Sequence, residues 1–406
     1  MMNLRINLDL LYSLCYNDLD ISIHRTEGEE HSMQLNKKWL IVLAVALVLI
    51  LVALVCVCCA MQEKTPDNPQ PSSTTTVPTT QTTAPTETTV PPTTQAPVLL
   101  DPENYNPFTG EVLAEPITAR PFLISINNSR SAMPLCGLND VDIVFEMLVN
   151  GRSTRCLALV TNVNAVERIG AIRSLRFNFI DLAQAYNGIV VYASGSQMVL
   201  NDMKASGVDN INALGGGNGG AFYREQGRLD AGYAREHTLF TIPSLMSQYA
   251  QKRGYSVVTE EYVDYGFRFT QDGTPENGET ANTITMSFFT GNKQTTMKYN
   301  AETQRYQFHQ YGADQIDGNT EEPLTFRNVF TLFAVNEDVG QYHVAQLLGS
   351  GDGYYACGGK IIPIKWHHQV ETEPFTFTLA DGTPLEQGVG NSYVGIIPTG
   401  SAFTYS

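Results

Sequence analysis

Lysine is missing between Arg120 and Arg176, a stretch that holds seven arginines: Arg120, Arg130, Arg152, Arg155, Arg168, Arg173 and Arg176. Cysteine is sparse as well. Only Cys136, Cys156 and Cys357 follow residue 98, an odd set that excludes a disulfide framework, although Cys136 and Cys156 could pair outside a cell. Too far apart and too poor in neighbouring histidine, they do not read as a zinc site. No Gly-x-Ser-x-Gly elbow, His-Glu-x-x-His pair or P-loop lysine occurs, so those signatures give no enzyme class. Positive charge is short overall. The 406 residues carry a formal net charge of −16, and after residue 98 the balance is 20 Lys+Arg against 32 Asp+Glu. A broadly acidic surface argues against nucleic acid and anionic lipid as partners.

Against that background the arginines stand out. They share their stretch with only four acids, Asp140, Asp142, Glu146 and Glu167. A guanidinium is a planar fork that grips carboxylate or phosphate at two points, whereas an ammonium is a point charge. Two readings stand side by side. The forks form an anion site, or they brace the fold by pairing with Asp142 or Glu146 and with loop carbonyls.

The one long apolar run is Trp39 to Ala60, twenty-two uncharged residues that rise about 33 Å as a helix, enough to cross a bilayer. Arg25, Lys37 and Lys38 precede it and only Lys64 follows closely, which places residues 1–38 in the cytoplasm and the remainder outside. An uncleaved anchor is expected, since no cysteine of the run follows a small residue as a lipoprotein signal requires. Residues 1–32 are acidic and lack a clear period, so Met33 makes the more natural start of the chain. Residues 61–97 are dominated by threonine and proline and are expected to stay unfolded, an extended tether of roughly 100 Å.

The remainder reads as α+β. Phe122–Asn127, Val141–Val149, Cys156–Val163 and Ile189–Ala193 are strand-like. Between the last two, Leu175, Phe179, Leu182 and Tyr186 recur at helical spacing behind Ser174, a plausible N-cap. Two more helices are expected, one from Gln197 between Ser196 and Gly207, the other from Pro243 to Arg253 ahead of Gly254. Residues 98–258 are therefore expected to be an α/β domain with a mixed sheet. Residues 259–406, with short alternating strands such as NTITMSFF, VFTLFAV and KIIPIKW, are expected to be a mainly antiparallel β domain.

Several segments together carry a family resemblance: RPFLISINN from Arg120, DIVFE from Asp142, IGAIRSLR from Ile169, HTLF from His237, GSGDG from Gly349 and GKIIPIKW from Gly359. In order and spacing they resemble the YerB-like lipoproteins of Gram-positive bacteria, extracytoplasmic proteins whose function is not established. The resemblance covers essentially all of residues 98–406 and implies fold and location more firmly than activity. The chain departs from the family pattern at Leu135 and Cys136 (usually Gln-Ser), at Asn150 (commonly Glu) and at Tyr192 (commonly His). Members are often lipid-anchored, whereas this chain is expected to use a transmembrane helix.

The leading expectation is a membrane-anchored binding or scaffolding module that holds an anionic envelope group. Its expected ligand-binding residues are Arg152, Arg155, Arg173 and Arg176, with Asn127, Asn128, Asp142 and Glu146 beside them. Arg173 and Arg176 flank the start of the Ser174 helix, where free N–H groups favour an anion. Two alternatives stay open: a wall-modifying hydrolase or transferase built on His237 and Glu146, and an assembly factor whose arginines are structural. As a glycosidase pair Asp142 and Glu146 fit poorly, because four strand steps of roughly 3.3 Å separate them by about 13 Å. Ser196 is one optional nucleophile for His237. His367 and His368 would point to opposite faces of a strand, and Gly215–Gly220 reads as a flexible loop rather than a dinucleotide site. No cofactor or metal is expected. The membrane, and a cell-wall polymer or envelope protein, are the expected partners.

Overall fold

A computed structural model describes residues 105–114, 118–259, 263–289, 291 and 293–406. The expected cytoplasmic segment, membrane helix 39–60 and tether 61–97 lie outside the described residues. Among the described residues no helix is long and apolar enough to cross a membrane.

The centre of the fold is one large mixed sheet. From its first half come β1 (Phe122–Asn127), β2 (Ile143–Asn150), β3 (Ser153–Val160), β4 (Ile189–Tyr192) and β5 (Asn210–Asn212). They lie in the order β2-β3-β1-β4-β5, antiparallel as far as β1 and parallel beyond it. The sheet continues past β2 with strands from the second half. Ser392–Pro398 pairs parallel with β2 and with Asn328–Ala334; Gly349–Cys357 and Lys360–His368 follow antiparallel. Strands from either side of residue 258 are thus hydrogen-bonded neighbours in one sheet. A separate antiparallel sheet is built from Ala313–Asp314, Arg305–Gln310, Lys293–Asn300, Thr283–Phe289 and Phe403–Tyr405, in that order.

Burial explains why β1 to β3 read as nearly unbroken apolar runs: both faces of the sheet are covered. Alternation sends Leu123, Phe145, Leu157 and Val190 to one side and Ile124, Val144, Ala158 and Val191 to the other. On the first side they meet Phe179 and Leu182 of α1 (Phe177–Ala185) and its C-cap Tyr186, which packs among Phe108, Tyr265 and Phe267. On the second side they meet Ile284, Met286, Met297 and Phe308 of the antiparallel sheet, and Met246 and Tyr249 of the helix Pro243–Lys252.

Local signals set the other helices. In α2 (Gln197–Ser206) the Ser196 hydroxyl accepts from the Val199 N–H, and Gly207 ends the helix at φ 72°, a left-handed conformation that costs glycine little. One start differs from expectation. Arg176, not Ser174, is the N-cap of α1, because Ser174 is still part of an extended segment. Its carbonyl accepts from Arg155 and Ser125, and the next N–H, that of Leu175, goes to Ser194. Cys136 and Cys156 are both buried free thiols, so the expected option of a bridge between them is not taken. Burial pushes both thiols up, Cys156 far up, which keeps them protonated and inert.

Candidate functional site

Three of the seven arginines come together at the carboxyl ends of β1 and β4. The segment after Ala171 is laid between those strand ends: the Arg173 N–H donates to the Ser125 carbonyl at 2.9 Å, and its carbonyl accepts from the Ala193 N–H at 2.9 Å. That puts Arg173 beside Arg155, which lies opposite Asn127 in the β1–β3 pairing. It also puts Arg176 at the start of α1, while β4 runs through Ser194 and Gly195 into the start of α2. Two helix N-termini therefore begin at the ends of parallel strands, where open α/β sheets form their crevices. Neither helix has an acidic residue in its first turn.

The guanidiniums are only partly satisfied. Arg155, 6% exposed, gives Nη1 to the Ser174 carbonyl at 2.7 Å. Arg176 gives Nη1 to the Leu175 carbonyl at 2.7 Å and Nη2 to the Asn150 amide oxygen at 3.0 Å, with the Tyr342 ring 5.2 Å from its carbon. Arg173 has one acidic neighbour, Glu236, at 3.7 Å, well beyond the 2.7–2.9 Å of a tight charge-assisted bond. The Nε atoms of all three are buried and make no hydrogen bond among the described residues. Buried donors are rarely left so. Burial, then repulsion from Arg176 and Arg173, drives the Arg155 pKa well down. Burial also pushes Arg176 down to about 10, the Tyr342 hydroxyl opposing and Arg173 assisting. Three guanidiniums thus share one carboxylate, Glu236, among the described residues.

The remaining expected site residues fall elsewhere. Arg152, at the hairpin turn between β2 and β3, faces the Phe289 ring at 5.6 Å. Arg120 binds Asp209 at 2.7 Å, Arg130 the Tyr311 carbonyl, and Arg168 Asn319 and Gly318. These read as braces. Asp142 is buried and accepts from Asn106 and from both the N–H and hydroxyl of Thr161. Burial lifts its pKa to about 6 against those bonds. Glu146 is fully buried and takes part in no crevice. Its Oε1 accepts from Asn128 at 2.8 Å, Thr154 at 2.6 Å and the Lys293 ammonium at 2.9 Å; its Oε2 accepts from Thr295 at 2.9 Å and Tyr393 at 2.7 Å. Asp142, Glu146 and Asn128, expected as ligand-binding groups, are buried and hydrogen-bonded inside the protein. Among the described residues no arginine pairs with Asp142 or Glu146, and the cation beside Glu146 is Lys293.

His237 is buried beside the arginines, and Arg228, which no sequence motif marked, holds it there through the His237 and Ala132 carbonyls. Ser131, exposed and likewise unmarked, has its hydroxyl 3.0 Å from His237 Nε2, and Asn127 Nδ2 lies 2.7 Å from Nδ1. Its polarity can be worked out. The Ser129 N–H can only donate, so the Asn127 atom it meets at 3.2 Å is the oxygen, and the nitrogen faces His237. Nδ1 therefore accepts and Nε2 carries the proton. Burial and the charges of Arg173 and Arg228 lower the His237 pKa, Glu236 opposing them. A neutral ring that donates toward Ser131 has no lone pair with which to take the serine proton. Ser196 is occupied as the cap of α2. Asn127, His237 and Ser131 thus form a chain of hydrogen bonds that runs from the amide to the hydroxyl, not a charge-relay set.

Fold and cluster define a class: an α+β protein with one mixed sheet, an antiparallel sheet packed on it, and three neighbouring arginines at the ends of its parallel strands. The chain belongs to the YerB-like family. Residues 108–256 match the family described as Protein of unknown function (DUF3048) N-terminal domain, and residues 284–394 match its C-terminal domain. The chain is 26% identical over 302 residues to the Bacillus subtilis (strain 168) protein named "Putative lipoprotein YerB", covering 72% of this chain and 86% of that one. The crystal structure of YerB from Bacillus subtilis is similar with a TM-score of 0.62 at 22% identity, over 74% of this chain and 99% of that one. At that identity the likeness shows the fold.

Proposed function

We propose that this chain is an extracytoplasmic envelope protein that holds an anionic group, phosphate or carboxylate, in the crevice of Arg155, Arg173 and Arg176. The observation that carries the reading is the three buried Nε donors without a partner, at the mouths of two helix N-termini. Asn150 supports it: a neutral amide, not a carboxylate, receives Arg176, so its charge stays uncompensated. The name of the Bacillus relative supports placement at a membrane surface, with the apolar segment 39–60 as the anchor here. The hydrolase alternative loses ground because His237 is polarised away from base catalysis and Glu146 is sealed in the core.

The test is pelleting of the purified full-length chain with intact sacculi, with sacculi stripped of teichoic polymer, and at low and high salt. Binding that weakens with salt is expected. Loss on stripping assigns a phosphate and persistence assigns a peptide carboxylate. A chain that stays in the supernatant with both preparations at low salt sinks wall binding.

Glu236, 56% exposed at its side chain, is the carboxylate that Arg173 and His237 already face, at 3.7 and 4.0 Å. It competes with a ligand for the same donors. Glu236→Gln is expected to raise the pelleted fraction severalfold at limiting sacculi. An unchanged or reduced fraction would show that Glu236 is no competitor.

A further inference from the structure

A cavity of about 300 Å³ has none of Arg155, Arg173 and Arg176 in its lining. Its walls include Phe177 and Asp181 of α1, Asp202 of α2, and Leu347, His368 and Glu371. Asp202 and Glu371 are exposed, Asp181 is half-buried, and none of the three forms an ion pair among the described residues. Asp181 accepts only from the neutral amide of Asn178, at 3.0 Å. Burial lifts its pKa to about 6 against that bond, and the charges of Asp202 and Glu371 add to the rise.

His368 supplies an independent observation. Its ring is 3% exposed, stacked on Phe375 at 4.4 Å, and forms part of the cavity wall. Nδ1 meets the Leu347 carbonyl at 2.8 Å. A carbonyl only accepts, so Nδ1 carries the proton. Nε2, buried and without a partner, is an acceptor in the neutral ring. Three unpaired carboxylates and an unpaired imidazole acceptor call for a donor with positive charge.

The size and spacing decide what kind. No group of three or more His, Cys, Asp or Glu among the described residues is arranged to hold a metal ion. The volume is instead at the low end of the roughly 300–1,000 Å³ that small-molecule sites occupy. Phe177 and Leu347 give apolar wall for a short hydrocarbon stem, and an ammonium head has three donors to spread over separated acceptors. We propose that this cavity binds a small organic diamine through its two ammonium groups, held by Asp181, Asp202, Glu371 and Nε2 of His368.

Calorimetric titration of the full-length chain with putrescine, butanediol and magnesium tests this. Putrescine is expected to bind and the uncharged diol of similar length is not. Asp181→Asn/Glu371→Gln is expected to weaken putrescine roughly a hundredfold or more, two charge-assisted contacts being lost, while Arg173→Ala leaves it unchanged. If the Asp181 variant fails to melt cooperatively, Asp202→Asn/Glu371→Gln, which alters exposed positions only, carries the same expectation. No heat with putrescine, equal heat with the diol, undiminished binding by the folded variants, or displacement of putrescine by one equivalent of magnesium would each overturn the proposal. The Arg173→Ala arm keeps its outcome separate from that of the arginine crevice.

Discussion

Glu146→Ala should lower the free energy of unfolding by about 3–5 kcal/mol, the cost of breaking a buried ion pair by removing one partner. The reason lies in what stays behind. Lys293 is 2% exposed at its side chain and would keep only Thr295 and the Gln310 amide oxygen as acceptors. Asn128, Thr154, Thr295 and Tyr393 would each lose the oxygen they donate to. Lys293→Met should cost less, because those four donors still hold the Glu146 carboxylate. Removing both should cost at least about 1 kcal/mol less than the sum, since each single change already breaks the pair. Urea unfolding of the four proteins checks this, and additivity within about 0.5 kcal/mol would mean that the pair is not coupled. Glu146 and Lys293 come from opposite halves of the chain and sit where the antiparallel sheet packs on the mixed sheet. A single cooperative loss is therefore expected, without an intermediate in which one half stays folded.

How far the sequence could be read follows the range of the interactions. Ser196 with Gly207, and Pro243 with Gly254, mark helix ends by contacts within a few residues, and both helices form where those signals stand. The apolar runs of β1, β2 and β4 needed only burial. Ser174 misled because its carbonyl is claimed from outside the helix, by Arg155 on a neighbouring strand. The partner of Glu146 was beyond reach in the same way: Lys293 lies in another sheet, and nothing local to either residue announces the pair. The alternating strands after residue 259 were legible, but not that Ser392–Pro398 and Asn328–Ala334 would join the first-half sheet in parallel. Of the arginines expected together from the sequence, Arg155, Arg173 and Arg176 are neighbours, and Arg152 lies apart at the hairpin turn beside Phe289. Three forks converge and the rest turn to carbonyls, amides, an aspartate or rings, a choice made by the β1–β3 register and by the segment laid across β1 and β4. Ser131 and Arg228 carried no signal at all, since each acquires its position only when His237 is brought up beside β1.

Arg173→Ala/Arg176→Ala should weaken binding to the anionic envelope ligand roughly a hundredfold or more. Each charge-assisted contact is worth about 1.5–3 kcal/mol, and about 1.4 kcal/mol is tenfold. The remaining affinity should also respond less to salt, because fewer charges face the ligand. Arg176 needs a control, since it also ties Leu175 and Asn150 and its loss could disturb the start of α1. Arg173 provides one. Its only acidic neighbour among the described residues is the loosely placed Glu236, so Arg173→Lys should fold and melt as the unaltered chain does. It would keep the charge and lose the fork. Binding weakened about tenfold by lysine at this position would show that two-point geometry matters beyond charge. Binding untouched by lysine but abolished by alanine would assign the site to charge alone. Equal binding by all the variants, each confirmed folded by its melting curve, would turn the three arginines into braces and move the search for a ligand away from this crevice.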